Sequence, residues 1–201
     1  MKIKLITALL AVFLTGGCAK QYVAPEVTFV DEAERDEYAV YSLSIQHVYL
    51  RNLLSHNKNP IETIVITAET NDLGEYWIDK FTEELRDKEI GEDVVIDWRA
   101  ANRSTVQLQR KFDLLYEYYL APRDELDKFD PDNFFGEFYK KYPYSNGLIS
   151  VSRIGFDKED DTALIHVIHS YGTLGANYYF ILLKKTDGTW GITKRISTSL
   201  S

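Results

Sequence analysis

The chain has 201 residues, 31 acidic against 23 basic, for a formal charge of −8, and 45% of it is hydrophobic with three tryptophans. That apolar and aromatic content excludes a disordered chain and suits one packed domain. The acidic balance argues against nucleic acid, where neutralising phosphates drives association, and against peripheral attachment to anionic lipid.

The chain opens "MKIKLITALLAVFLTGGCAK". Lys2 and Lys4 precede an apolar run from Leu5 to Leu14, too short to span a bilayer, then Thr15, Gly16, Gly17 and Cys18. This pattern predicts a signal peptide over residues 1–17. Its end resembles a bacterial lipobox, with the leucine at Leu14 one place early and Thr15 in the usual leucine position. The resemblance implies that Cys18 is lipidated, carries palmitate among its acyl chains, and becomes the first mature residue. Cys18 is also the sole cysteine, so no intrachain disulfide can form. Acyl chains gain about 0.8 kcal/mol per buried methylene, so a triacylated cysteine is a firm anchor. By the same resemblance Ala19, where an aspartate signals inner-membrane retention, directs the protein to the outer membrane of a Gram-negative cell. Losing residues 1–17 removes two lysines and no acid, so the mature chain is more acidic still.

Residues 18–30 read as a lipid-anchored tether and 31–201 as one domain. "DEAERDEYAVYSLSIQHVYLRNLLSH" places Tyr38, Tyr41, Ile45, Val48, Tyr49 and Asn52 on steps of three and four. Acids crowd its first turn, and Arg51 and His56 lie near its end, which predicts a helix stopped by Asn57, Asn59 and Pro60. "IETIVITAET" predicts a strand and "EYWIDKFTEELRDKE" a helix, with Trp77, Phe81 and Leu85 four apart. "DVVIDW" reads as a strand. Residues 99–123 lean towards extended structure with a turn at Ala121–Pro122, and "RDELDKF" towards a short helix. In "DPDNFFGEFYKKYP", Asp130 suits an N-cap and Pro131 the first helical position. Phe134, Phe135, Phe138, Tyr139 and Tyr142 then form one aromatic face. Four strands follow, Leu148–Phe156, Ala163–Tyr171, Tyr178–Lys185 and Trp190–Ile196, joined by "DKEDD", "GTLGA" and "TDG". The whole predicts an α+β fold: N-terminal helices packed on a C-terminal antiparallel meander of about four to six strands, cone-like in the manner of NTF2-like and cystatin-like domains.

The C-terminal part carries Phe138, Tyr139, Tyr142, Pro143, Ser145, Gly147, "SRIGF" at 152–156, Ala163, Gly172, Gly175, Tyr178 and Trp190. In this it resembles a family of uncharacterised bacterial lipoproteins with a Tyr-Pro, Ser-x-Gly and "SRVGF" pattern leading into an antiparallel meander. Ile154 stands in place of the usual valine, and the glycine-rich turn is leaner. The resemblance covers the last 70 residues or so, and implies a fold but no activity.

Candidate chemistry is sparse. His166 and His169 lie three apart on a strand, hence on opposite faces, and cannot readily share an ion; they read as polar residues at or near the surface. His47 and His56 lie nine apart on a predicted helix, on opposing sides. "DKEDD" lacks the glycine and late glutamate of a calcium loop. Ser150 and Ser152 have no nucleophile elbow around them, and no acid is placed to orient a histidine. No catalytic, metal or cofactor site is assigned. Arg153 breaks the first meander strand on a face shared with Ile149 and Val151, so its charge needs a partner or an exit to water. Acids of the first half are the expected partners, and Gly155 leaves room for the chain to bend or for another group to approach. Arg153, Ser152, Tyr142 and Tyr178 are therefore the candidates for binding or for fixing the fold. The function expected is a non-catalytic interaction or binding domain tethered to the cell envelope, with an envelope protein as partner; the alternative is a small-molecule-binding or enzymatic domain with a pocket near Arg153. Oligomeric state is not legible.

Overall fold

The computed structural model describes residues 27–52, 61–86 and 88–198. Cys18, His56 and the signal region lie outside them. The fold is α+β, as expected. Helix α1 (Glu32–Asn52) is followed by strand β1 (Thr63–Thr67), helices α2 (Gly74–Leu85) and α3 (Glu92–Ala101), and strand β2 (Glu117–Ala121). Then come α4 (Arg123–Leu126), a 3-10 turn (Pro131–Asn133) and α5 (Phe134–Lys141). The chain ends in β3 (Ser145–Val151), β4 (Gly155–Phe156), β5 (Thr162–Gly172), β6 (Gly175–Thr186) and β7 (Thr189–Thr198).

One seven-stranded sheet has the order β2-β1-β3-β5-β6-β7, with β4 pairing β5 beyond the end of β3. The antiparallel meander is present from β3 through β7. β1 extends it by parallel pairing with both β3 and β2, which makes the sheet mixed. The turn between β6 and β7 has positive φ at both Asp187 (50°) and Gly188 (75°), the geometry of a two-residue hairpin turn that "TDG" favours.

Both faces of the sheet are covered. On one, α1 buries Tyr41, Ile45, Val48 and Tyr49 against Ile64, Ile149, Val167 and Ile181. On the other, α2 and α3 bury Phe81, Leu85, Val94 and Trp98 against Leu164 and Phe180, while α5 sets Phe138 against Val65 and Leu148. Asp130 accepts from Asp132 N at 3.0 Å and so caps the turn before α5, as its position predicts.

"DVVIDW" is helical, which corrects the strand expectation. Its two valines favour a strand, yet Val94, Val95 and Trp98 share one helical face and that face is buried. Residues 102–116 form no strand: a turn follows α3, and a single bridge joins Gln107 to Glu69. Their backbone is held by a row of acceptors one helical turn apart on α1. Gln109 N donates to the Tyr38 hydroxyl (2.7 Å), Asp113 N to Ser42 Oγ (2.9 Å) and Leu115 N to Gln46 Oε1 (3.2 Å).

His166 and His169 do point to opposite faces, but neither is at the surface: their exposures are 0% and 1%. β5 is a central strand covered on both sides, so either face is interior. His169 Nε2 meets the Asn146 carbonyl oxygen. His166 packs between Phe81 (4.8 Å) and Phe180 (4.7 Å), with neither ring nitrogen hydrogen-bonded among the described residues. Burial disfavours its charged form and holds its pKa down at about 3. The unfolded chain therefore binds this proton between about pH 6.5 and 3 while the folded chain does not, so stability falls as pH falls through that window. His166→Leu, of similar volume, should abolish this contribution. Between pH 7 and 4.5, urea unfolding of the native protein should lose about 2 kcal/mol more than the variant.

Candidate binding cleft and the predicted residues

The four residues singled out in the sequence do not form one site. Ser152 and Arg153 lie between β3 and β4, where the expected single strand Leu148–Phe156 leaves the ladder. Side chains fill the gap. Ser152 is fully buried, and its hydroxyl donates to Arg153 O (2.7 Å) while accepting from Trp98 Nε1 (3.1 Å) and His166 N (2.9 Å). A hydroxyl has one proton and two lone pairs, so this one is saturated and out of reach of any substrate. Asn102, just past α3, pairs with the Arg153 backbone as a strand would. Arg153 N donates to its Oδ1 (2.8 Å) and its Nδ2 donates to Arg153 O (3.0 Å).

The half-buried Arg153 guanidinium donates through Nη1 to Ala101 O and Ser104 Oγ, both at 3.1 Å. Its hydrogen-bond partners are thus the C-terminal carbonyl of α3 and a hydroxyl rather than a first-half carboxylate. Cation and helix dipole favour each other there. Glu37 is the carboxylate that feels its charge: burial pushes the Glu37 carboxyl up and Arg153 draws it back down. Arg153→Ala should cost about 1 kcal/mol in urea unfolding, the worth of a partly exposed helix-end cation with its hydrogen bonds. An unchanged midpoint would remove it from the fold's supports.

Tyr142 ends α5, where its hydroxyl donates to Glu125 Oε1; Tyr119 donates to Glu125 Oε2 (3.2 Å) and Lys141 pairs with it at 2.6 Å. Burial raises the Glu125 pKa, but Lys141 and Tyr142 outweigh it and hold the carboxylate below its usual range. Tyr142, conversely, is pushed well up by burial and by this acid. The cluster ties α4 to α5. Tyr178 is elsewhere, on β6, stacked over His166 at 6.4 Å. In "DKEDD", the Asp157 carboxylate accepts from Asp161 N (2.9 Å) and Thr162 N (3.0 Å), and so organises the turn into β5.

A cleft of about 500 Å³ opens outside the carboxyl ends of the adjacent parallel strands β1 and β2. In open sheets with parallel strands, ligands favour this end. Its base is backbone held in place: Ala68 N donates to Ala121 O (2.8 Å), Thr70 N to Val106 O (3.0 Å) and Asn71 N to Val151 O (2.8 Å). Two of its polar groups are already committed, since Thr70 Oγ1 accepts from Val106 N (3.0 Å) and Glu69 Oε2 from Gln107 Nε2 (3.1 Å). Asn71 Nδ2 is not: this amide nitrogen is buried in the wall with no hydrogen-bond partner among the described residues. Asp72, Asp127 and Arg123 supply charge at the rim. The half-buried Phe129 and Phe134 form an apolar wall, their rings 5.5 Å apart and near perpendicular. Except for Phe134, sequence reasoning does not single these residues out. The signal available was "TAETND", a polar run straight after a β-branched strand and before a helix, as strand-to-helix connections read.

Compared with protein-family models, curated proteins and solved structures, the chain finds no match.

Proposed function

We propose that this chain is a cell-envelope lipoprotein: an α+β domain tethered to a membrane through lipidated Cys18, working by binding rather than catalysis, with the cleft at the carboxyl ends of β1 and β2 as its working surface. The tether is supported by the charged start, the short apolar run and the sole cysteine placed directly after small residues. By resemblance, the outer membrane is its destination. Among the described residues no helix is long and apolar enough to cross a membrane. The binding half rests on one observation above the others, the place of the cleft outside the carboxyl ends of two adjacent parallel strands, with the half-buried Phe129 and Phe134 in its lining.

Each half has its own test. Cys18→Ala should move the protein from the membrane fraction to the soluble one; retention with membranes would discard the lipid anchor. Hydrogen exchange on the purified lipoprotein, with and without an extract of its own envelope, should show protection in residues 67–72 and 121–134. Protection elsewhere only, or none, would discard the cleft.

A further inference from the structure

Resting on the lipid tether, we infer that the β5–β6 hairpin tip is a second membrane contact, seating Leu174 in the interfacial region of the bilayer. The tip is a two-residue connection, Thr173 and Leu174, between the paired Gly172 and Gly175. Turns of this kind favour Gly, Asn, Asp or Ser, yet here a leucine stands wholly exposed. No acidic or basic residue occurs between Asp161 and Lys184, so both arms of the hairpin can approach lipid without desolvating a charge. Tyrosines gather behind the leucine. The Tyr171 ring packs over Gly175, where a β-carbon would overlap it, and the Tyr139 hydroxyl donates to Tyr171 O (3.0 Å). Tyr144 is 48% exposed just before β3, which starts beside the tip. An apolar point backed by tyrosines suits the headgroup boundary, where a ring buries its face and keeps its hydroxyl wet.

The charge of the two ends and the reach of the tether fit this seating. Exposed charges at the tip end are mixed, with Glu62 and Glu117 at the starts of β1 and β2 and Arg51 and Lys140 at the ends of α1 and α5. The other end, where β5 begins, sets Glu92, Asp93, Asp97, Asp157 and Asp160 against Lys158 and a Lys185 already paired with Asp36 (2.6 Å). An anionic lipid surface turns that end outward. The cleft turns outward with it, because β1 and β2 run away from the tip. α1 ends on the tip side, where Tyr49 donates to Thr63 O (2.9 Å). Phe29 packs on Tyr38 (6.3 Å), about 20 Å along α1 from that end, and residues 18–28 can span at most about 40 Å.

The test uses the lipidated protein in phosphatidylcholine vesicles. Cys18 is the sole cysteine and its sulfur is taken by the anchor, so Leu174→Cys offers one thiol for a nitroxide. Leu174 has no packing to lose, so the substitution leaves the fold alone. The ratio of nitroxide collisions with oxygen to those with a nickel chelate should be several-fold higher at 174 than in Lys158→Cys, at the acidic end. It should hold as salt rises, since the tip carries no charge. In unlabelled protein, hydrogen exchange over residues 171–176 should be slower in vesicles than in Cys18→Ala in solution, and Leu174→Asp should lose that protection while staying anchored. Equal collision ratios at the two positions would overturn the inference. So would a label at 174 shielded from oxygen and nickel alike, the mark of a protein partner at the tip. If the wild type floats with vesicles while its tip stays in water, the tip contact is wrong and the tether stands; if the wild type does not float, both fall.

Discussion

Replacing Gly155 by alanine should destabilise the domain by ~3 kcal/mol or more, the upper range for forcing an atom into a packed core. A β-carbon there would overlap the backbone nitrogen and α-carbon of Trp98. Backbone at the middle of α3 cannot rotate aside as a side chain can. The helix would have to lift from the sheet and take the buried Trp98, Val94 and Val95 with it. Gly155 itself has no unusual backbone angle, so the requirement is one of space alone. Chemical denaturation would show a lower midpoint, and Trp98 fluorescence would shift to the red if α3 has lifted. Near-native stability in Gly155→Ala would mean that α3 does not cross the sheet where it is placed. The sequence leaves Gly155 open to a bend of the chain or to an approaching group; it is a group, the helix read there as a strand.

Ser152→Ala should cost about 3 kcal/mol, because it strands two buried donors, each worth about 1–3 kcal/mol when left unmade. Trp98 Nε1 and His166 N both lose their acceptor, whereas Arg153 O keeps Asn102 Nδ2. Volume hardly changes, so the loss measures hydrogen bonding rather than packing. The indole N–H proton of Trp98 should move upfield and exchange faster, a readout that a general loosening would spread over the other tryptophans. If the indole resonance of Trp98 is unmoved and stability is kept, the hydroxyl is not the hub of the β3–β4 break. Ser152 and Gly155 thus flank one joint from two sides. One holds α3 to the sheet by a hydrogen bond, the other by the absence of an atom.

What the sequence disclosed follows the range of the forces involved. α1 and α5 were legible because their aromatic residues repeat at helical spacing within a single segment, and the hairpin at Asp187–Gly188 because its turn chemistry is local. α3 was not, since its ten residues carry three β-branched residues in a row, Val94 to Ile96, and only Trp98 completes the helical period. β1 was legible as a strand but its two parallel neighbours were not, because β2 and β3 lie 50 or more residues further on. The histidines of β5 looked superficial for the same reason: their burial comes from helices on both faces, and no pattern within "HVIH" reports that. Arg153 was legible as structurally demanding, while its partners, Ala101, Asn102 and Ser104, lie at or just past the end of a helix whose type was misread. The cleft residues were hidden because a polar loop has no meaning until the strands that frame it are paired.

The first helix of the domain is also tied to its last hairpin. Asp36 on α1 takes Lys185 Nζ at 2.6 Å and Trp190 Nε1 at 3.2 Å, across 149 and 154 residues of chain. β1 likewise waits between two strands synthesised after it. Closing such loops spends entropy before any buried area returns it, and chains dominated by distant pairings fold in milliseconds to seconds rather than microseconds. α1 rests on β1, β3 and β5 as well, but its ties through Asp36 form only when the final hairpin returns to it. The slow step expected of this topology is therefore the joining of segments 149 and 154 residues apart, and it leaves β1 unpaired on both edges until the later strands arrive.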